Sequence, residues 1–150
     1  MSQRLTENDA RIALKDHLGE KAMNTRLTRG MYIDAEAIVE MLDDRSFVRY
    51  PVGVRFDAEP LEPGEFAMPV PLGDHPSKGF CLFIHPCFEQ QPDAWPLLIA
   101  YHVPSINYGE IVSHDDAEHF GATLLGLEAD IYYEALCELA DSLPALGDTR

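Results

Sequence analysis

The hydrophobic period of this chain changes twice along its length, and that change limits the fold more than any other feature. Apolar residues recur at helical spacing in the first forty or so positions, alternate with polar residues through the middle, and return to helical spacing after Ser113. Thr6, followed by Glu7 and Asp9, marks a helix start, with Ala10, Ala13, Leu14, Leu18 and Ala22 on one side. This helix is expected to end near Gly19 or a few residues later, and NTRLTRG (24–30) then reads as a polar, basic connection. A second helix is predicted over 34–44, with Asp34 as N-cap and Ile38, Met41 and Leu42 facing inward.

The middle of the chain reads as sheet. Val48, Tyr50, Val52, Val54 and Phe56 alternate with Arg49, Pro51, Gly53 and Arg55, the pattern of a half-buried strand. Phe66, Met68, Val70 and Leu72 repeat it after a turn at Pro63-Gly64. Pro51, Pro69 and Pro71 have no N–H for a ladder, so a sheet edge is expected in these two strands. GFCLFI (79–84) and PLLIAYHV (96–103) are nearly continuous apolar runs, as in strands covered on both faces. Most of the eleven prolines fall between Pro51 and Pro104, which favours short strands and loops there over helices.

After Ser113, Phe120, Leu124, Leu127 and Ile131 stand at core spacing in a helical region over 119–146. Gly126 caps or kinks it, Leu136, Leu139 and Leu143 continue the stripe, and Pro144 stops it. The expected fold is one α+β domain over 1–150. It has about four mostly antiparallel strands, roughly 47–57, 65–72, 79–85 and 96–103, flanked by two N-terminal and one or two C-terminal helices. Residues 1–30 are a candidate peripheral helical arm.

Charge narrows the function classes. The net charge is −15, and it is uneven: residues 1–30 carry about +2, whereas the remaining 120 carry −17. Such a surface repels phosphate backbones and anionic membranes, which argues against direct nucleic-acid or membrane binding. Cys81, Cys87 and Cys137 are odd in number and lack metal-type spacing. No apolar run has the length of a signal peptide or of a membrane span. A reducing cytoplasm, with no disulfide, is the expected setting.

The densest cluster of titratable residues is SHDDAEHFG (113–121). Much of it serves helix initiation: Ser113 as N-cap and Asp116 three residues later form a capping box with Asp in place of Glu. Asp115, Asp116 and Glu118 suit the positive end of the helix dipole. The same residues also suggest metal binding. His114/Glu118 and Asp115/His119 are four apart and share a face in pairs, whereas His114 and His119 lie about 140° apart around the axis. The segment departs from the zincin H-E-x-x-H pattern, because Asp115 stands at the base position and Glu118 at the second ligand position.

A hairpin between 79–84 and 97–103 would place His102 near His75, with His114 returning to the same end. His75, His102 and His114, completed by Glu118 or His119, are therefore the candidate ligand set for a divalent ion such as Zn or Fe, with Ni and Mn also suited to imidazole and carboxylate. His85 and Cys87 could share a face, yet nothing in the sequence orients them for nucleophilic catalysis. Phosphate-loop, dinucleotide and nucleophile-elbow motifs are missing. The expectation is a binding or accessory protein that acts on a protein partner or as a homodimer, the latter through the Tyr132-Tyr133 end of the last helix. The alternative is a metal-dependent hydrolase built around 114–119.

Overall fold

The structure, a computed structural model, describes residues 6–30 and 32–144. Helix α1 (Glu7–Arg29) opens on Thr6, whose side chain accepts from the Asp9 N–H while the Asp9 carboxylate accepts from the Thr6 N–H. It runs ten residues beyond Gly19, so the polar stretch read as a connection is helical. Arg26 and Arg29 suit the negative end of the dipole, and only Gly30, at φ 106°, ends the helix. The segment expected as a peripheral arm supplies Leu18 and Ala22, both fully buried, to the core. Helix α2 (Ala35–Met41) starts at Asp34 as expected, with Ile38, Met41 and Leu42 buried.

Strands β1 (Val52–Phe56), β2 (Ala67–Pro71) and β3 (Phe80–Ile84) form a three-stranded sheet in the order β1-β3-β2. The sheet is mixed rather than mostly antiparallel: β3 lies between the other two, parallel to β1 (Val52 opposite Phe80) and antiparallel to β2 (Ala67 opposite Ile84). β2, which carries Pro69 and Pro71, and β1, which Pro51 precedes, are the two edges, where a missing N–H costs no ladder bond. The phase of β2 differs from expectation. Ala67 is buried, while Met68 and Leu72 are exposed.

The fourth expected strand, 96–103, is instead part of helix α3 (Trp95–Tyr108). Pro96 occupies the first turn, where its missing N–H is harmless. Leu98, Ile99, Ala100, Val103, Ile106 and Asn107 are all buried, so α3 is apolar on most sides because it crosses the core. A short buried helix and a central strand have the same continuous apolar pattern. Pro104 lies inside the helix.

Helix α4 (His114–Leu125) packs against both α1 and α3, and Gly126 ends it in the left-handed conformation (φ 70°, ψ 31°). Helix α5 (Ala129–Asp141) follows in a new direction, so the stripe predicted to run from Phe120 to Ile131 breaks: Phe120 and Leu124 are buried, Leu127 and Ile131 exposed. Positions 145 and 146 of the expected helical region 119–146 lie outside the described residues. The fold is thus α+β with five helices and one mixed sheet among the described residues.

Asn107, 3% exposed, ties α3 to the segment entering β1 by accepting from the Arg49 N–H and donating to the Phe47 carbonyl. The three cysteines are unpaired, and no described helix is long and apolar enough to cross a membrane.

Candidate functional site

The start of α4 is built as the sequence implies. Ser113 Oγ accepts from the Asp116 N–H at 3.2 Å, and the Asp116 carboxylate accepts from the Ser113 N–H at 3.0 Å. Asp116 is buried, with Arg11 of α1 at 4.0 Å. The cap absorbs Asp116 and leaves His114, Asp115 and Glu118 for other work.

The proposed ligand set does not come together. His75 is exposed and caps its own short turn, its Nδ1 accepting from the Ser77 N–H. That turn precedes the first residue of β3, whereas His102 packs against Phe66, which hydrogen-bonds His85 just past the last residue of β3. The length of a five-residue strand, about 13 Å from first to last residue, separates the two ends. The hairpin that placed His75 beside His102 does not exist, because 96–103 is helical. His119 turns the other way, toward α1, where a Cβ on Gly19 would lie 2.8 Å from its Nε2. Among the described residues no three His, Cys, Asp or Glu side chains are grouped so as to hold a metal ion.

His114 and Glu118 do share a site. With Asp115 they form one side of a cleft of about 470 Å³, closed by Phe66, Tyr101 of α3, and Tyr133, Leu136, Cys137 and Ala140 of α5. That volume is within the range of small-ligand sites. The Tyr101 hydroxyl lies 2.5 Å from His114 Nδ1, and the two rings stack. Phe66 meets the Tyr101 ring edge-on at 6.2 Å.

The electrostatics of the cleft are negative. Burial raises the pKa of Glu118; the charge of Asp115 adds to this, and His114 opposes it. Burial, then Glu118, pushes the Tyr101 phenol up to about 12. Tyr133 is raised by its hydrogen bond to Cys137 and their charge interaction, and after these by Glu118. Neither Asp115 nor Glu118 has a Lys or Arg of this chain within ion-pair distance among the described residues.

Comparison with known protein families, curated proteins and solved structures found no match.

His85 and Cys87 are a structural pair: the Cys87 N–H donates to His85 Nδ1, and burial raises the thiol pKa, away from a reactive thiolate. Tyr132, expected at a dimer surface beside Tyr133, is fully buried and donates to the Leu97 carbonyl. Sequence reasoning missed the parts played by Phe66, Asp115 and Cys137. From the sequence alone Tyr101 and Tyr133 are aromatics that could line a ligand cleft or a dimer surface; the structure places both at the cleft.

Proposed function

We propose that this chain is a binding protein whose α3–α4–α5 cleft receives a cationic side chain from a protein partner. The observation that carries the reading is the pair Asp115 and Glu118, with no Lys or Arg in ion-pair distance among the described residues, set among the rings of Phe66, Tyr101 and Tyr133. An arginine suits this arrangement best, because its planar guanidinium stacks on tyrosine while its N–H fork reaches carboxylate. A bound cation offsets the desolvation cost and the repulsion that raise Glu118, which gives binding a local driving force. The net charge of −15 steers basic partners toward the surface. The metal-dependent hydrolase reading has weaker support, because only His114 and Glu118 of its ligand set line one site.

Blocked Gly-Arg-Gly, Gly-Lys-Gly and Gly-Gln-Gly tripeptides test the reading by amide NMR titration. Saturable shifts at Tyr101, His114–Glu118 and Tyr133–Ala140 are expected with arginine, smaller ones with lysine, and none with glutamine. Glu118→Gln should weaken arginine binding about tenfold, the equivalent of ~1.4 kcal/mol. Shifts that fail to saturate by about 10 mM, or that Glu118→Gln leaves unchanged, defeat the reading. A cleft filled by a second copy of the chain would show as a dimer in sedimentation that the arginine peptide dissociates.

A further inference from the structure

The two edges of the sheet are finished differently. Toward β3, the Pro51 carbonyl accepts from the Phe80 N–H and the Asp57 N–H donates to the Ile84 carbonyl, with Val52 opposite Phe80. Backbone groups alternate in direction along a strand, so Gly53 and Arg55 also face β3. Val52, Val54 and Phe56 therefore turn their N–H and C=O groups outward. At the other edge, the Phe66 carbonyl accepts from the His85 N–H and the Leu72 N–H donates to the Gly79 carbonyl, which turns Ala67, Pro69 and Pro71 outward. Two of these three are prolines and have no N–H to offer. β2 thus closes its edge to a further strand, and β1 does not. None of the outward backbone groups of β1 has a backbone partner among the described residues, and no described strand lies beyond them.

The surface along the open edge is chemically biased as well. Residues 45–56 hold three arginines and no acid, in a chain of net charge −15. Arg55 is exposed, and no carboxylate lies within ion-pair distance of it among the described residues. Asp57, two residues on, accepts from the Glu59 N–H. Arg55 shares the outer face of the sheet with Gly53, where a Cβ would meet nothing within 4 Å, so the strand is open beside the guanidinium. The opposite face is apolar: Val52, Val54 and Phe56 are half-buried against the core.

We propose that the free edge of β1 takes up an extended segment of a protein partner in which apolar and acidic residues alternate, adding a fourth strand to the sheet. The main chain of the segment meets the three outward N–H and three outward C=O groups of Val52, Val54 and Phe56. Its apolar side chains continue the layer of those three residues, and its acidic side chains reach Arg55 on the outer face. A period of two serves either strand direction. Charges farther than about 8 Å are largely screened at physiological salt, so for a segment of this length the adjacent arginine outweighs the net charge of the chain. A second copy of β1 fits less well. Antiparallel pairing about Val54 would set the two Arg55 side chains at diagonal positions on one face, where like charges repel. The edge is separate from the α3–α4–α5 cleft, whose lining includes no residue of β1.

Amide NMR titration with three peptides tests this: acetyl-Val-Glu-Val-Glu-Val-amide, its counterpart with lysine for glutamate, and the acidic peptide N-methylated at every residue. Saturable shifts within residues 50–57 are expected for the acidic peptide, with at least about tenfold weaker binding there for the lysine peptide and none for the N-methylated form. Val54→Pro removes one outward N–H and no ladder bond, and should weaken the acidic peptide at least about tenfold. Arg55→Glu should lose the acidic peptide and take up the lysine peptide. If Val54→Pro does not fold, Arg55→Glu and the N-methylated peptide carry the comparison. No saturable shift by about 10 mM, shifts mapping to another surface, or undiminished binding of the N-methylated form overturns strand addition. Equal binding of the acidic and lysine peptides overturns the acidic partner. A peptide-free dimer in sedimentation, with concentration-dependent shifts at 50–57, overturns the proposal in favour of a second copy.

Discussion

The Tyr101 hydroxyl meets His114 Nδ1 at 2.5 Å, and the two rings lie 21° from parallel with centroids 6.4 Å apart. One contact thus joins α3 to the first turn of α4 across the mouth of the cleft. Tyr101→Phe removes the hydroxyl and keeps the ring, so it should cost about 1 kcal/mol in urea denaturation. Tyr101→Ala also removes the ring on which Phe66, His102 and His114 rest, and should cost at least about 2 kcal/mol. Equal losses for the two variants would show that the ring packing contributes nothing. The phenol gives a second measure. Its pKa of about 12 lies above the ordinary 10 because burial and Glu118 disfavour the phenolate, so the contribution of Tyr101 to stability is complete below pH 10 and lost between 10 and 12. Absorbance titration should show several late tyrosines, Tyr132 among them, with one fewer in Tyr101→Phe and a downward shift of the late group in Glu118→Gln.

His102 should govern part of the acid limb. Its Nε2 is enclosed and unpartnered, and burial lowers its pKa from 6.5 to about 4. The unfolded chain therefore takes up a proton first as pH falls. The stability associated with neutral His102 is present above pH 6.5 and lost progressively down to about 4. A shift of this size corresponds to on the order of 3 kcal/mol. His102→Leu fills similar space without a titrating group, so the pH 7 to pH 4 difference in unfolding free energy should shrink by about that amount. An acid limb unchanged by this substitution would show that His102 is already protonated, or solvated, in the folded state.

Gly121 is held to glycine by Tyr132. A Cβ at position 121 would lie 2.3 Å from the Tyr132 hydroxyl oxygen, which is fully buried and donates to the Leu97 carbonyl at 2.7 Å. Gly121→Ala forces that ring out of place and should destabilise by about 1–3 kcal/mol despite the better helix propensity of alanine. Cζ and Cε2 of the ring would lie at 2.4 and 2.6 Å, so Tyr132→Phe should not rescue Gly121→Ala. With Tyr132→Ala, which removes the ring, the double variant should instead lose less than the sum of the singles in thermal melts. A Gly121→Ala variant as stable as the parent would show that α5 shifts freely on α4.

What the sequence revealed and what it hid follow from the range of the interactions. The caps at Thr6, Asp34 and Ser113 depend on residues three apart, so their spacing is visible in one dimension. The run 96–103 depends on what surrounds it, and a helix through the core and a strand inside a sheet both read as unbroken apolar sequence. Reading it as a strand carried the site reading with it. On a strand, Tyr101 and His102 point to opposite faces and His102 pairs toward His75. On a helix they lie about 100° apart, so Tyr101 reaches the cleft while His102 packs behind Phe66. Ending α1 near Gly19 had a similar consequence. It left Thr25 and Arg29 in a connection, where nothing suggested that they share a helix face.

The Ser113 cap sets the geometry of the cleft as well as the stability of α4. His114, Asp115 and Glu118 all lie within about a turn of Ser113, and their directions follow from where the helix begins. Ser113→Ala removes the acceptor for the Asp116 N–H and should cost about 1 kcal/mol, whereas Ser113→Thr should retain most of the cap. Asp116→Ala should cost more, because the carboxylate is buried, accepts from the Ser113 N–H and has Arg11 nearby. The two halves of the box are reciprocal, so once either is lost the first turn frays and the other contributes less. The double variant Ser113→Ala/Asp116→Ala should therefore lose less than the sum of the singles, with a coupling of about 0.5 kcal/mol or more. Full additivity in urea denaturation would mean that the two hydrogen bonds act independently. A coupled loss should also move the amide resonances of Glu118 and Tyr133, because the same turn positions the acidic wall against α5.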